Sequence, residues 1–418
     1  MSTSTDSGFT RSRNIRQLEP SATLAVTQDA RRRRDLGEQI IDLSAGEPDF
    51  DTPRLIAEGG VRAIQEGKTH YPPNAGLFDL RVAAATHLST MSGGRPVNPD
   101  NIVISTGVKQ ALFNVCFSLF GPNDTVLIPS PAWVSYPQMV HLARAHPNLI
   151  AGDPEFGLKI SVDDLEAAAD ANTRGVILCS PSNPTGSVYT LAELRAIAEW
   201  TADRNVWLIA DEIYRRIHFA PGPAPSVLDL PDELLRRVVV VYGVSKAYAM
   251  TGWRLGFALA PSEVAKALAA LQGHVTSGAS HPSQCAAIVA FGDARVEEDV
   301  AAMVSEFHRR RDLVVDYFRS HLPGLEFVEP LGAFYLFFRV DSCFGGSIGG
   351  SVDFCQKLIA EEGVALVPGK AFGDDRWIRL SFAAAQEDIR AGLDRIGPFI
   401  NALRGVGGEK QSPTAVRD

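Results

Sequence analysis

Cysteine is scarce in this sequence and nowhere paired: Cys116, Cys179, Cys285, Cys343 and Cys355 are odd in number, widely spaced and form no C-x-x-C. That argues against a disulfide framework and fits reduced thiols packed inside a cytoplasmic protein. Long apolar runs are missing too, so no segment reaches the length of a membrane span. The Ser/Thr-rich start, residues 1–12, lacks the apolar stretch of a secretory signal. Nor is there a basic excess: the formal net charge is -9, which speaks against a nucleic-acid or anionic-membrane surface and leaves small-molecule chemistry.

What the chain does have is length and an ordinary globular balance. With 418 residues, 45% hydrophobic and 21% charged, it can bury a large core and is expected to divide into two domains. A helical stretch at 14–36 carries an arginine run at 31–34 that reads as a solvated face, and a short strand at 40–43 leads into the turn-rich Ser44-Ala45-Gly46-Glu47-Pro48-Asp49-Phe50. Helices are predicted at 53–65 and 77–90, on either side of a rigid loop that holds out Tyr71.

Strands and helices then alternate, with strands at 101–105, 125–129, 175–179, 206–210, 238–242 and 255–260 and helices at 110–120, 134–145 and 191–203. This alternation predicts an α/β fold with a mainly parallel sheet. A long helix at 296–320 is followed by shorter strands at 333–339, 364–367 and 377–380 and helices at 354–362 and 388–403, the pattern of a smaller α+β domain. The expected division is a disordered start at 1–12, an N-terminal segment at 13–50 packing with the small domain, a large domain at 51–300, a small domain at 301–404 and a disordered tail at 405–418. Residues 345–350 read as a surface loop.

One strand organises the rest. Val238-Val239-Val240-Val241-Tyr242 is β-branched or aromatic throughout, which marks a strand covered on both faces, and Lys246 falls just past its carboxyl end. Open α/β sheets bind ligands there. A lysine whose stem leaves an apolar strand is partly desolvated, which lowers the amine pKa and makes a Schiff-base nucleophile; alone, it also reads as a lysine pointing into water. Its neighbours tip the reading.

Asp211 ends another apolar strand with Tyr214 just beyond it, Asn183 sits in the Pro-rich loop 180–186, and Thr106-Gly107-Val108-Lys109 opens a helix directly after a strand. An amine, a carboxylate at a ring nitrogen, donors to a phenolic oxygen and a helix amino end for a phosphate are what pyridoxal phosphate requires. Ser245 and Arg254 flank the lysine and can complete the anion site, while Trp133 can stack on the ring. Singly, each has a plainer reading: an N-cap or salt bridge for Asp211, a turn residue for Asn183, a packed aromatic for Tyr214 and Trp133. The turn at 106–109 carries neither G-x-G-x-x-G nor G-x-x-x-x-G-K-[ST], which weakens dinucleotide and Walker-type alternatives.

In order and spacing, the loop 45–50, Ser180-Pro181-Ser182-Asn183-Pro184-Thr185-Gly186, Asp211-Glu212-Ile213-Tyr214 and Ser245-Lys246 with Arg254 resemble the fold-type I aminotransferases, more closely their bacterial aspartate aminotransferase branch. The similarity runs from about residue 13 to 403. It implies a large pyridoxal-phosphate-binding domain, a smaller α+β domain and a homodimer with shared sites; it implies no metal. By this resemblance Lys246 would carry the cofactor and move the proton between Cα and C4′. Asp211 would bond the pyridine nitrogen, Tyr214 and Asn183 the phenolic oxygen, and Trp133 the ring face. Gly107, Val108, Lys109, Ser245 and Arg254 would surround the phosphate and the nearby pocket, joined by Tyr71 from the second subunit. Arg379, in the stretch 377–382, would grip the substrate α-carboxylate with Asn183 and the Gly46 amide, a task suited to a planar guanidinium.

In that branch a Ser-x-Thr segment and a lysine after the phosphate-loop glycine contact a substrate's distal carboxylate and are linked to prephenate use; here they are Ser21-Ala22-Thr23 and Lys109. The resemblance therefore implies transamination of aspartate or glutamate with 2-oxoglutarate or oxaloacetate, and prephenate as a further substrate. The segment 274–281 departs from the Gln/Ser/Thr-rich version of the branch, which leaves another amino-acid specificity open. A lyase or biosynthetic enzyme on the same scaffold is the nearest alternative. A DNA-binding regulator needs a segment ahead of this fold, where only residues 1–12 stand, and a nicotinamide oxidoreductase lacks its glycine fingerprint.

Overall fold

The computed structural model describes residues 10–405, so the ends expected to be disordered fall, apart from residues 10–12 and 405, outside the described residues. The first helix, α1 (Ala22–Asp35), is capped by the Ser21 hydroxyl and ends in the arginine run, whose cations suit the negative end of the helix dipole. β1 (Ile41–Asp42), α2 (Arg54–Gln65) and α3 (Phe78–Met91) follow. The alternation then runs β2 (Ile102–Ser105), α4 (Val108–Leu119), β3 (Thr125–Ser130), α5 (Ser135–Leu142), β4 (His146–Ala151), α6 (Val162–Ala168), β5 (Thr173–Cys179), α7 (Leu191–Asp203), β6 (Trp207–Asp211), β7 (Val238–Gly243) and β8 (Gly256–Leu259). Next come α8 (Ser262–Val275), α9 (His281–Gly292), the long α10 (Val296–His321), β9 (Phe327–Val328), β10 (Tyr335–Arg339), α11 (Ser351–Glu361), β11 (Val364–Ala365), β12 (Val367–Pro368), β13 (Trp377–Ser381) and α12 (Gln386–Leu403).

Seven strands form the main sheet in the order β2-β8-β7-β6-β5-β3-β4, all parallel except β8, which opposes both neighbours. Helices on both faces demand strands that are apolar on both sides, and every residue of β7 is buried. A four-stranded antiparallel sheet, β12-β13-β10-β9, forms the smaller layer, and β1 pairs in parallel with β11 beside it. The early loop 44–50 is thereby fixed against elements from the far end of the chain.

Several expectations change in detail. The strand predicted at 255–260 is present but antiparallel. The helix predicted at 110–120 starts at Val108, so Val108 and Lys109 are its first turn and not part of the turn before it. The helix predicted from residue 14 begins at Ala22, and the one predicted at 134–145 covers only Ser135–Leu142. β4, α6, α8, α9 and β9 were not predicted: β4 is an edge strand containing Pro147 with only Ile150 buried, so it lacks the apolar signature of its neighbours. Residues 345–350 are only partly surface, since Gly345 and Ile348 bridge and Ile348 is buried.

Candidate active site

The carboxyl ends of β2, β3, β5, β6 and β7 converge on one cavity of about 380 Å³, closed from the other side by α1, the loop after β1, β10 and β13. Lys246 follows β7, and its Nζ donates to the Gly46 carbonyl oxygen at 2.6 Å. The protein packed around the amine disfavours the ammonium and lowers its pKa to about 8; Glu47 opposes that shift, while Arg379 and Arg254 reinforce it. Asp211, the last residue of β6, shows the mirror effect. Burial pushes its carboxyl up to about 6, restrained by the Tyr136 hydroxyl, which donates to Oδ2 at 2.7 Å, and by the Ile213 amide, which donates to Oδ1 at 3.2 Å. Around neutral pH both groups are therefore close to surrendering the charge each would carry in water.

Arg379 lies mid-strand in β13 and is 2% exposed. Nη1 donates to Asn183 Oδ1 at 3.0 Å and Nη2 to the Ser44 carbonyl oxygen at 2.8 Å, which uses two of its five N–H groups. Its buried Nε has no partner among the described residues. A guanidinium held on one side and unsatisfied on the other is ready for a planar anion. Because Asn183 accepts from Arg379 through its oxygen, its Nδ2 remains as a donor. The Tyr214 hydroxyl lies 2.9 Å from that of Tyr335.

The amino end of α4 supplies the anion cradle. Gly107 has φ +82°, and a Cβ there would sit 2.6 Å from Arg254 Nη2; a Cβ on Gly256 would sit 2.5 Å from the Val108 amide nitrogen. Glycine at both positions keeps the Val108 and Lys109 amides clear, and these lack an intrahelical acceptor, whereas the Gln110 amide donates to the Gly107 carbonyl oxygen at 3.1 Å. Arg254 is anchored by Nη1 to the Thr251 carbonyl oxygen at 2.9 Å, leaving Nη2 toward the helix end. This cradle, the unsatisfied arginine and the buried carboxylate opposite a softened amine fit a phosphate-bearing heterocyclic aldehyde.

At the mouth, Lys109 Nζ stands 4.9 Å over the Trp133 ring and forms no ion pair among the described residues. The surrounding protein, and then Arg254, lower its pKa. Ser21 Oγ and Thr23 Oγ1 lie 3.0 Å apart at the start of α1. Thus Lys246, Asp211, Tyr214, Asn183, Trp133, Val108, Lys109, Ser245, Arg254, Gly46, Arg379, Ser21 and Thr23 all line the cavity. Gly107 and Tyr71 do not line it, and Tyr71 is 91% exposed.

Three contributors escaped sequence reasoning. Tyr136 bonds Asp211 from α5, and only its place three residues after Trp133 hinted at the site. Glu47 faces Lys246 and accepts from the Thr251 hydroxyl at 2.7 Å; its position beside Gly46 was the available signal. Tyr335, buried at the start of β10, looks in sequence like any core aromatic.

The family described as "Aminotransferase class I and II" matches residues 38–396. The chain is 43% identical over 390 residues to the bifunctional aspartate aminotransferase and glutamate/aspartate-prephenate aminotransferase of Petunia hybrida, covering 91% of this chain and 81% of that one. It is 36% identical over 391 residues to the aspartate aminotransferase of Geobacillus stearothermophilus, covering 93% and 98%. Among solved structures, the aspartate aminotransferase of Thermus thermophilus with maleate superposes with a TM-score of 0.88 at 34% identity, over 93% of this chain and 99% of that one. The fold, the cavity at the strand ends and these matches lead to one conclusion: the chain belongs to the class I and II aminotransferases and is a transaminating enzyme.

Proposed function

We propose that the enzyme uses pyridoxal phosphate to move an amino group between aspartate or glutamate and 2-oxoglutarate or oxaloacetate, accepts prephenate as a further oxo acid, and works as a homodimer. The observation that carries this reading is the placement of Lys246 and Asp211, with opposed pKa shifts, in one cavity with the unsatisfied Arg379. The named activities of the Petunia and Geobacillus relatives support the choice of dicarboxylic substrates.

When bound, the cofactor would supply an electron-accepting ring that stabilises negative charge at the substrate Cα. Asp211 would hold the ring nitrogen protonated, with Tyr136 orienting its carboxylate. Tyr214 and the Asn183 amide would donate to the phenolic oxygen, and Trp133 would cover the ring. Gly107, Val108, Ser245 and Arg254 would take the phosphate, with Tyr71 reaching over from a second copy of the chain. Arg379 would hold the α-carboxylate. Lys246, with a pKa near 8, has a sizeable neutral fraction at physiological pH, and its amine would remove the Cα proton and return it at C4′. Ser21, Thr23 and Leu24 of the α1 region would shield the site from water.

Lys109 lies at the mouth without an ion pair among the described residues, so it and the Ser21 and Thr23 hydroxyls would receive a distal carboxylate. An amino-donor panel with 2-oxoglutarate, and prephenate with glutamate, tests this. Lys109→Ala should lower kcat/KM for aspartate by about 10-fold or more, the scale of one charged hydrogen bond, and leave alanine and phenylalanine nearly unchanged. An equal loss on all donors would contradict the role.

A further inference from the structure

We infer that Tyr335 is a positioning residue with two separable tasks: its hydroxyl fixes the direction in which Tyr214 donates, and its ring holds the Arg379 guanidinium in place for a carboxylate. Tyr335 opens β10, has no exposed surface, and reaches from the smaller sheet to the loop after β6. Its hydroxyl lies 2.9 Å from that of Tyr214, with the two rings at 80°. Its face lies 4.3 Å from the guanidinium carbon of Arg379. A Cβ on Gly46, whose carbonyl holds Lys246 Nζ, would come within 3.5 Å of the same hydroxyl. One side chain thus abuts the lysine's anchor, the phenolic-oxygen donor and the carboxylate clamp.

The hydroxyl task follows from proton counting, and it rests on the proposed cofactor reading. Each tyrosine has one O–H, and either can donate within the pair. Once Tyr214 directs its proton to the cofactor's phenolic oxygen, only Tyr335 has one left for the pair, and a hydroxyl that accepts a bond donates more strongly. The other groups facing Tyr214 are Cys179 from β5, Arg379 from β13 and Lys246, whose nitrogen is 6.0 Å from the ring centre. The ring task is independent of that proton: a guanidinium laid on an aromatic face keeps its edge N–H groups free, and Arg379 Nε is among them.

Two variants separate the tasks in the holoenzyme. Tyr335→Phe keeps the ring and removes the hydroxyl. The midpoint of the pH-dependent visible absorbance should rise by about half a unit, because a weaker Tyr214 donor stabilises the phenolic anion less. Calorimetric binding of succinate, a dicarboxylate that cannot react, should stay within about twofold, since the ring contact is kept. Tyr335→Leu removes the ring as well and should weaken succinate by about fivefold or more; Tyr335→Met, of similar volume, replaces it if the leucine variant does not fold. An unmoved midpoint in Tyr335→Phe, or parental succinate affinity in the variant lacking the ring, overturns the assignment. Failure of the underlying reading shows differently, as a parent protein that binds no pyridoxal phosphate.

Discussion

At the residue scale, Asp211 is a carboxylate kept where a carboxylate is least comfortable. Its folded pKa of about 6 lies above the ordinary 3.8 because burial removes water from the charge. A raised folded pKa contributes stability that is full below about pH 4 and is lost as the pH rises through about 6. In cofactor-free protein, Asp211→Asn should therefore be the more stable form at pH 7, by on the order of 2–3 kcal/mol, and lose that advantage near pH 4. Denaturant unfolding at the two pH values checks this; an asparagine variant no more stable than the parent at pH 7 would contradict it. The same variant should lose nearly all transamination, as expected where stability is given up for function. The place of Lys246 and Asp211 in the cavity was legible from the chain because one lies just past, and the other at, the carboxyl end of an apolar strand. Tyr136 and Tyr335 were not, since a tyrosine bonded to a cavity residue and one packed in a core are the same letter in the same apolar surroundings.

At the element scale, what positions the site was easier to foresee where strands are buried on both faces than where they sit at an edge. β7 declares itself by composition, whereas β4 carries proline and polar residues because one side of it meets water. α8 offers no motif, yet its Gln272 is fully buried and joins a loop, β2 and α4: Nε2 donates to the Asn74 and Ile104 carbonyl oxygens, each at 2.6 Å, and Oε1 accepts from Asn114 Nδ2 at 3.2 Å. These bonds fasten the loop that carries Tyr71 to the sheet. Gln272→Leu should cost about 1–3 kcal/mol by stranding those groups. The loss should appear in hydrogen exchange as faster opening of residues 71–77, with distant β5 unchanged; parental exchange in that loop would refute it.

At the scale of the whole molecule, residues 61–78 expose several large apolar side chains. Val61 and Ile64 of α2 are 52% and 60% exposed, Phe78 at the start of α3 is 58% exposed, and Tyr71 stands between them. The proposed homodimer would cover this stretch and carry Tyr71 to the partner's phosphate site. Sedimentation should give twice the chain mass at micromolar concentration, and a monomer with full activity would contradict the shared site. The mainly parallel sheet was readable from alternation alone, but which surface would meet a second copy was carried only by family resemblance, because periodicity records burial within a chain and not between chains.

Lys246 is the proposed covalent anchor of the cofactor, and borohydride reduction of the holoenzyme followed by peptide mass analysis reads that bond. The pyridoxyl mass is expected on Lys246, and no visible absorbance band in Lys246→Ala. A label on another lysine, together with an intact band in Lys246→Ala, would contradict it.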